Sequence, residues 1–211
     1  MRTETLIDML ARHAGPAPRA LAASRLWPAA AAGLLASGCA AIAWFGLIPW
    51  SLLGTPVPWT KMAYAAALAG AAGWWAARLS RPAASAARPR MAVMAVVLAM
   101  ATIGLLSWLS EPADGRMAAL LGHSWFSCAP SVLVLSLPAL AAALWAVRGL
   151  APTRPGVAGF AAGLLAGSVG AFGYSLSCPE ASAAFVAVWY SLGIVLTGAA
   201  GAVLGPRVLR W

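Results

Sequence analysis

Two cysteines carry the chemistry that this sequence offers most clearly. Cys128 closes the segment HSWFSC at 123–128, and Cys178 lies in SCPE at 177–180. Both segments are short polar interruptions in a chain that is 62% hydrophobic. A thiol pair can close a disulfide or bind a soft metal ion, and a disulfide persists only where the compartment is not reducing. Closure also needs the two α-carbons within about 7 Å. His123 and Glu180, in the same two segments, could complete the coordination of a soft or borderline metal. For His123 the competing assignment is a loop histidine hydrogen-bonded near an interface. No CxxC and no zinc-finger spacing is present, which argues against structural zinc. Cys39 lies within an apolar run and is expected to be a small buried residue.

The elements that must position these thiols are read from hydropathy. Only 9% of residues are charged and the mean hydropathy is +0.83, far from the balance of a soluble domain. About 20 apolar residues cover a hydrocarbon layer of ~30 Å. Six stretches qualify, at 27–48, 58–77, 91–109, 129–147, 156–176 and 184–204. The expected fold is therefore all-α: an integral membrane bundle of six transmembrane helices at 27–211, preceded by an N-terminal segment at 1–26. Lys61, near one end of the second stretch, is expected to snorkel to the interface. The first apolar run follows 26 residues of mixed charge, so no removable signal peptide is expected.

The net charge of +9 raises the question of nucleic acid, and its distribution answers it. Twelve of the fourteen Lys and Arg residues fall in the N-terminal segment, the second and fourth connections and the C-terminus, while Lys61 and Arg116 fall on the other side. The positive-inside bias then predicts both termini in the cytoplasm and both thiol segments outside. No groove-reading or base-stacking element accompanies the charge, so no direct contact with nucleic acid is expected.

Residues 3–14, TETLIDMLARHA, have the pattern of a short amphipathic helix ended by Gly15-Pro16. Leu6, Ile7 and Leu10 share one face, while Glu4, Asp8 and Arg12 follow one another at four-residue spacing. So short a helix is marginal alone in water and gains order against a partner or a membrane surface. Further along, Gly159, Gly163 and Gly167 recur every four residues, and Gly201 and Gly205 repeat the theme. Such small-residue faces let membrane helices approach closely and are assigned to packing.

Several functions lack a basis. All five acids lie outside the apolar stretches and no histidine sits within one, which argues against ion-coupled transport. Phosphate-binding and hydrolase motifs are missing.

Four segments resemble the six-span inner-membrane anti-sigma factors of the NrsF type. They are TETLIDMLA at 3–11, HSWFSC, VRGLAPTRPGVAGFAAGLLAGSVGA at 147–171, and SCPE together with WYSLGIVLTGAAGAVLGPRVLRW at 189–211. The resemblance implies a bacterial inner-membrane protein, N- and C-termini cytoplasmic, that holds an extracytoplasmic-function sigma factor at the cytoplasmic face. It implies that an outer cysteine pair, here Cys128 and Cys178, responds to heavy metal or oxidative stress. No obligatory cofactor is expected, only a transient heavy-metal ion at these thiols, and no catalysis. On this reading Glu4, Leu6, Ile7, Asp8, Leu10 and Arg12 contact the sigma factor. The rival is a membrane thiol-disulfide oxidoreductase, which usually needs a second thiol pair to relay electrons.

Overall fold

The computed structural model describes residues 3–13, 21–81 and 84–210, and every regular element among them is helical. Helix α1 (Thr3–His13) precedes α2 (Leu21–Phe45), the short α3 (Trp50–Leu53), α4 (Pro56–Leu79) and α5 (Ala87–Ser110). A 3₁₀ turn at Ala113–Gly115 leads into α6 (Arg116–Leu121), α7 (Trp125–Arg148) and α8 (Pro155–Ser175). The short α9 (Ala183–Phe185) runs through a π-helical turn, Val186–Tyr190, into α10 (Ser191–Val208). Five helical stretches among the described residues are long and apolar enough to cross a membrane: Leu21–Phe45, Ala87–Ser110, Ala113–Arg148, Pro155–Ser175 and Ala183–Val208.

Five is one fewer than the six expected. The stretch expected at 58–77 does form a helix of sufficient length, α4, but it is not apolar enough to count with the others. Its large aliphatic side chains are few, Val57, Leu68 and Leu79, and Thr60, Lys61 and Arg78 lower its mean further. The expected first span also starts early, at Leu21, inside the segment assigned to the N-terminal region. The connection around 110–127 is structured rather than open, because it holds the 3₁₀ turn and α6.

Helix α8 is the hub. It is buried along nearly its whole length and packs against α2, α4, α7 and α10. Small residues make this possible. A Cβ at Gly163 would stand 2.5 Å from the Thr197 carbonyl oxygen and 2.8 Å from the Gly198 Cα, and one at Gly167 would stand 2.9 Å from the Ile194 Cα. The glycine face of α8 thus meets α10 backbone to backbone, as the four-residue spacing predicts. Gly163→Leu is expected to separate these helices and lower the thermal midpoint of the purified protein clearly, since overpacking costs about 1–3 kcal/mol or more. Gly70→Ala is the control: nothing lies within 4 Å of that Cβ position, so its midpoint should hold or rise.

Consecutive long helices run up and down, which gives the bundle two distinct ends. At one end meet the C-termini of α2 and α8, joined by Ile48 N–H donating to Leu176 O at 3.0 Å. The starts of α4 and α7 lie there too. The opposite end collects the start of α2, the end of α7 and the start of α8, with Arg25, Arg148 and Arg154. Many large apolar side chains face outward between the two ends, among them Leu35, Leu98, Ile103, Leu137 and Val195. This band is what a helix bundle presents to lipid.

Candidate functional site

The thiol site is built on a carboxylate. Glu180 follows α8 by a few residues and is itself buried. Its Oε1 accepts three hydrogen bonds, from the backbone N–H of His123 at 2.8 Å, the N–H of Ser124 at 2.9 Å and the Ser124 hydroxyl at 2.9 Å. These groups sit just before the first turn of α7, where backbone donors lack intrahelical partners and a negative charge is favoured. Glu180 therefore fastens the chain after α8 to the start of α7. Gly122 permits the approach. It has φ 57°, and a Cβ there would stand 2.5 Å from Glu180 Oε2 and 2.8 Å from Phe185.

This latch brings Cys128 and Cys178 to the same end of the bundle. Cys128 N–H donates to Ser124 O at 2.8 Å, so the first turn of α7 runs directly from the latched residue to the thiol. Cys178 N–H donates to Tyr174 O at 3.1 Å and lies two residues before Glu180. Both thiols are free. They are also closed off: Cys128 is 0% and Cys178 2% exposed, although the surrounding segments are polar. Both side chains belong to one continuous buried core.

Lys61 is the residue that the sequence reading misplaced. It does not snorkel outward. It is 1% exposed, and its Nζ donates to the carbonyl oxygen of Cys178 at 2.9 Å, with the Tyr190 ring centroid 6.0 Å away. A buried ammonium is costly unless it is hydrogen-bonded. The carbonyl and the negative ring face satisfy it in part. Tyr190 belongs to the π-helical turn, an irregularity that often marks functional positions. Ser177 Oγ, beside Cys178, is buried and has no hydrogen-bond partner.

Two other expectations change. Cys39 is exposed on α2 rather than buried, because its helix turns that face away from α8. Glu180 holds backbone donors rather than standing open as a ligand, and His123 takes part through its main chain while its side chain is exposed. Among the described residues no group of three or more His, Cys, Asp and Glu side chains is placed to hold a metal ion.

Removing the latch should open this end. Glu180→Ala strands two backbone donors, which costs about 1–3 kcal/mol for each group left unpaired. The rate of Cys128 modification by a membrane-impermeant maleimide is expected to rise at least about tenfold, since ~1.4 kcal/mol is a tenfold change. Glu180→Gln keeps an acceptor oxygen and should stay much nearer the parent rate.

The second candidate surface is α1. Leu6, Ile7 and Leu10 are 44%, 60% and 64% exposed, so the apolar face predicted for this helix is bare. On the polar side Arg12 pairs with Asp8 at 3.4 Å, both well exposed, which confirms the four-residue register. Such an exposed pair adds little to stability.

The chain can be placed among known proteins. The family model described as "Negative regulator of sigma F", NrsF, matches residues 10–211. The chain is 43% identical over 216 residues to the anti-sigma-F factor NrsF of Caulobacter vibrioides, with all of both chains covered. It is 39% identical over 217 residues to a probable anti-sigma-F factor NrsF of Azospira oryzae, again with all of both chains covered. No solved structure matches it. With the family model spanning nearly all of the sequence and two full-length relatives above one third identity, this chain belongs to the NrsF family of negative regulators of sigma F.

Proposed function

We propose that this protein is a membrane-embedded anti-sigma factor that holds an extracytoplasmic-function sigma factor through α1 and releases it when the thiol site changes state. The observation that carries the reading is the bare apolar face of α1 on a chain related along its full length to anti-sigma-F factors. An amphipathic helix with exposed Leu6, Ile7 and Leu10 suits a groove on a partner protein, and Glu4, Asp8 and Arg12 are placed to fix register by charge. No catalytic step is required of the chain. The oxidoreductase alternative would need a second thiol pair, and the sequence contains three cysteines.

The protein lies in the bacterial inner membrane with α4 crossing as a sixth span. Length and packing against α8 support that course for α4, and Lys61 is sheltered within the bundle rather than facing lipid. An even number of crossings sets both termini on one side, and the segregation of arginine makes that side the cytoplasm. The thiol site then faces the periplasm.

There the latch explains how buried thiols could serve as a sensor. Glu180 keeps Cys128 and Cys178 closed at rest. When the latch opens transiently, an oxidant can remove two electrons and two protons to form one S–S bond, or a heavy-metal ion can replace the two thiol protons. Cys178 is bonded through its carbonyl to α4 and joins α8, while Cys128 begins α7. Drawing the two together shifts α7 and α8 at one end, and the close α8–α10 contact carries the displacement toward the cytoplasmic end. A coupling of about 1–3 kcal/mol changes affinity by roughly 5–150-fold, enough for a transcriptional switch.

The test is co-purification. Membranes from cells co-expressing the chain with a candidate extracytoplasmic-function sigma factor should retain that factor, and a version lacking residues 1–14 should not. Retention by that shortened chain would move the contact to the basic connection bearing Arg78, Arg81, Arg88 and Arg90.

A further inference from the structure

We propose that the bundle carries a binding site for an anionic phospholipid, with the lipid phosphodiester held between Arg25 and Arg148. This inference rests on the membrane-embedded reading above and adds to it a specific ligand class and location. The site is a groove of about 750 Å³ between the start of α2 and the end of α7. Arg25 and Arg148 stand at its mouth, and Pro28, Ala29, Ala32 and Trp145 line its length.

Three features point to an anionic amphiphile. The first is charge. Both guanidiniums are exposed, and among the described residues neither has a carboxylate within ion-pair distance. No acid of the bundle lies at this end, since Glu111, Asp114 and Glu180 sit at the other. Two uncompensated cations lining one groove repel each other unless an anion lies between them. Guanidinium suits a phosphate oxygen pair, which it can engage with two parallel N–H donors.

The second is the course of the groove. It continues from the arginines along residues that a lipid tail would meet, ending the polar part at Arg25 and Arg148 and going on past Ala29 and Ala32. Trp145, 77% exposed one turn before Arg148, stands where an indole ring settles at the headgroup level. The third is side. The positive-inside distribution puts this mouth at the cytoplasmic leaflet, where anionic headgroups gather, and basic pockets between membrane helices on that side are suited to them. Gly149 leaves room for the headgroup contact: a Cβ there would collide with the Arg25 guanidinium, so glycine lets Arg25 lie across the end of α7.

The experiment titrates the full-length protein in detergent with phosphatidylglycerol, with phosphatidylcholine of the same acyl chains, and with sn-glycerol 3-phosphate. Bound lipid is counted by native mass spectrometry. Phosphatidylglycerol is expected to bind about thirtyfold more tightly than phosphatidylcholine, and the tail-less phosphate should not compete with it at equal concentration. That ratio corresponds to about 1 kcal/mol for each of the two arginines. The double variant Arg25→Gln/Arg148→Gln should lose the preference. Ala142→Phe, which narrows the groove and leaves both charges, should weaken the two lipids alike. Equal binding of the two lipids by the parent protein overturns the proposal, as does an undiminished preference in a folded double variant. Full competition by glycerol phosphate would show a free-phosphate site and overturn the lipid assignment. If the double variant does not fold, the parent titration and Ala142→Phe decide. Failure of the membrane reading is separate: the protein would then leave the membrane fraction on alkaline carbonate washing, whatever its lipid preference.

Discussion

Replacing Leu6 and Leu10 by glutamate is expected to lower affinity for the sigma factor by at least about a hundredfold while leaving the bundle intact. Each leucine buried at an interface contributes roughly 1.5–3 kcal/mol, so losing both removes about 3–6 kcal/mol, and about 2.8 kcal/mol is already a hundredfold. The bundle should be indifferent because these side chains are exposed in the free protein. A titration with labelled sigma factor in detergent measures the first effect, and the thermal midpoint of the same sample checks the second. Glu4→Gln makes an informative companion. A charge at the rim of an interface acts mainly on the association rate and its salt dependence, so that variant should bind more slowly or more quickly but dissociate much as the parent does. If the two glutamates leave affinity unchanged, α1 is not the contact.

Cys128→Ser or Cys178→Ser is expected to abolish the response to oxidant or heavy metal while preserving capture of the sigma factor. One bond or one shared ion needs both sulfurs, so each single substitution should remove the whole effect and the double substitution should add nothing. That strict non-additivity is the signature of a pair acting as a unit. In the parent protein the agent should lower affinity by roughly 5–150-fold, and in each variant by a factor near one. Serine is close to cysteine in size, though its hydroxyl is less at ease in a buried site, so a modest loss of stability is expected alongside. Equal responses in parent and variants would remove the thiols from the mechanism. A response lost only in Cys128→Ser would point to modification of that thiol alone.

The sequence made the helices and their packing legible and left the wiring of the thiol end dark. Hydropathy located each long helix, since apolar runs of span length declare themselves. Glycine spacing located the α8–α10 contact because only residues without side chains allow backbones to meet. The alternation in TETLIDMLARH likewise gave α1 and its bare face. For α4 hydropathy located the helix but not its standing as a span, because few large aliphatic residues offset its polar ones. Lys61 was misread for a related reason. An isolated lysine near a helix end usually reaches for water, and what draws this one inward is the carbonyl of Cys178, a residue 117 positions away. Glu180 poses the same difficulty. Its type and position allow a metal ligand, and only the fold reveals backbone donors at 123 and 124 already aimed at its carboxylate. Cys39 shows the limit from the other side: an apolar run says that a residue is in the membrane layer, not whether it faces helix or lipid.

The central claim joins a partner-binding helix on one side of the membrane to a thiol pair on the other, and one measurement addresses both halves. On the proposed topology, inside-out membrane vesicles carrying the protein expose α1 to the medium and enclose the thiol site. Fluorescent sigma factor is bound outside, and a soft metal ion such as cadmium is then delivered to the lumen by an ionophore, beside a Cys128→Ser preparation treated identically. The account predicts capture at the outer surface, release of at least fivefold in affinity when metal reaches the lumen, and no release from Cys128→Ser. Sigma factor that fails to bind these vesicles, or that leaves parent and Cys128→Ser membranes equally, would contradict it.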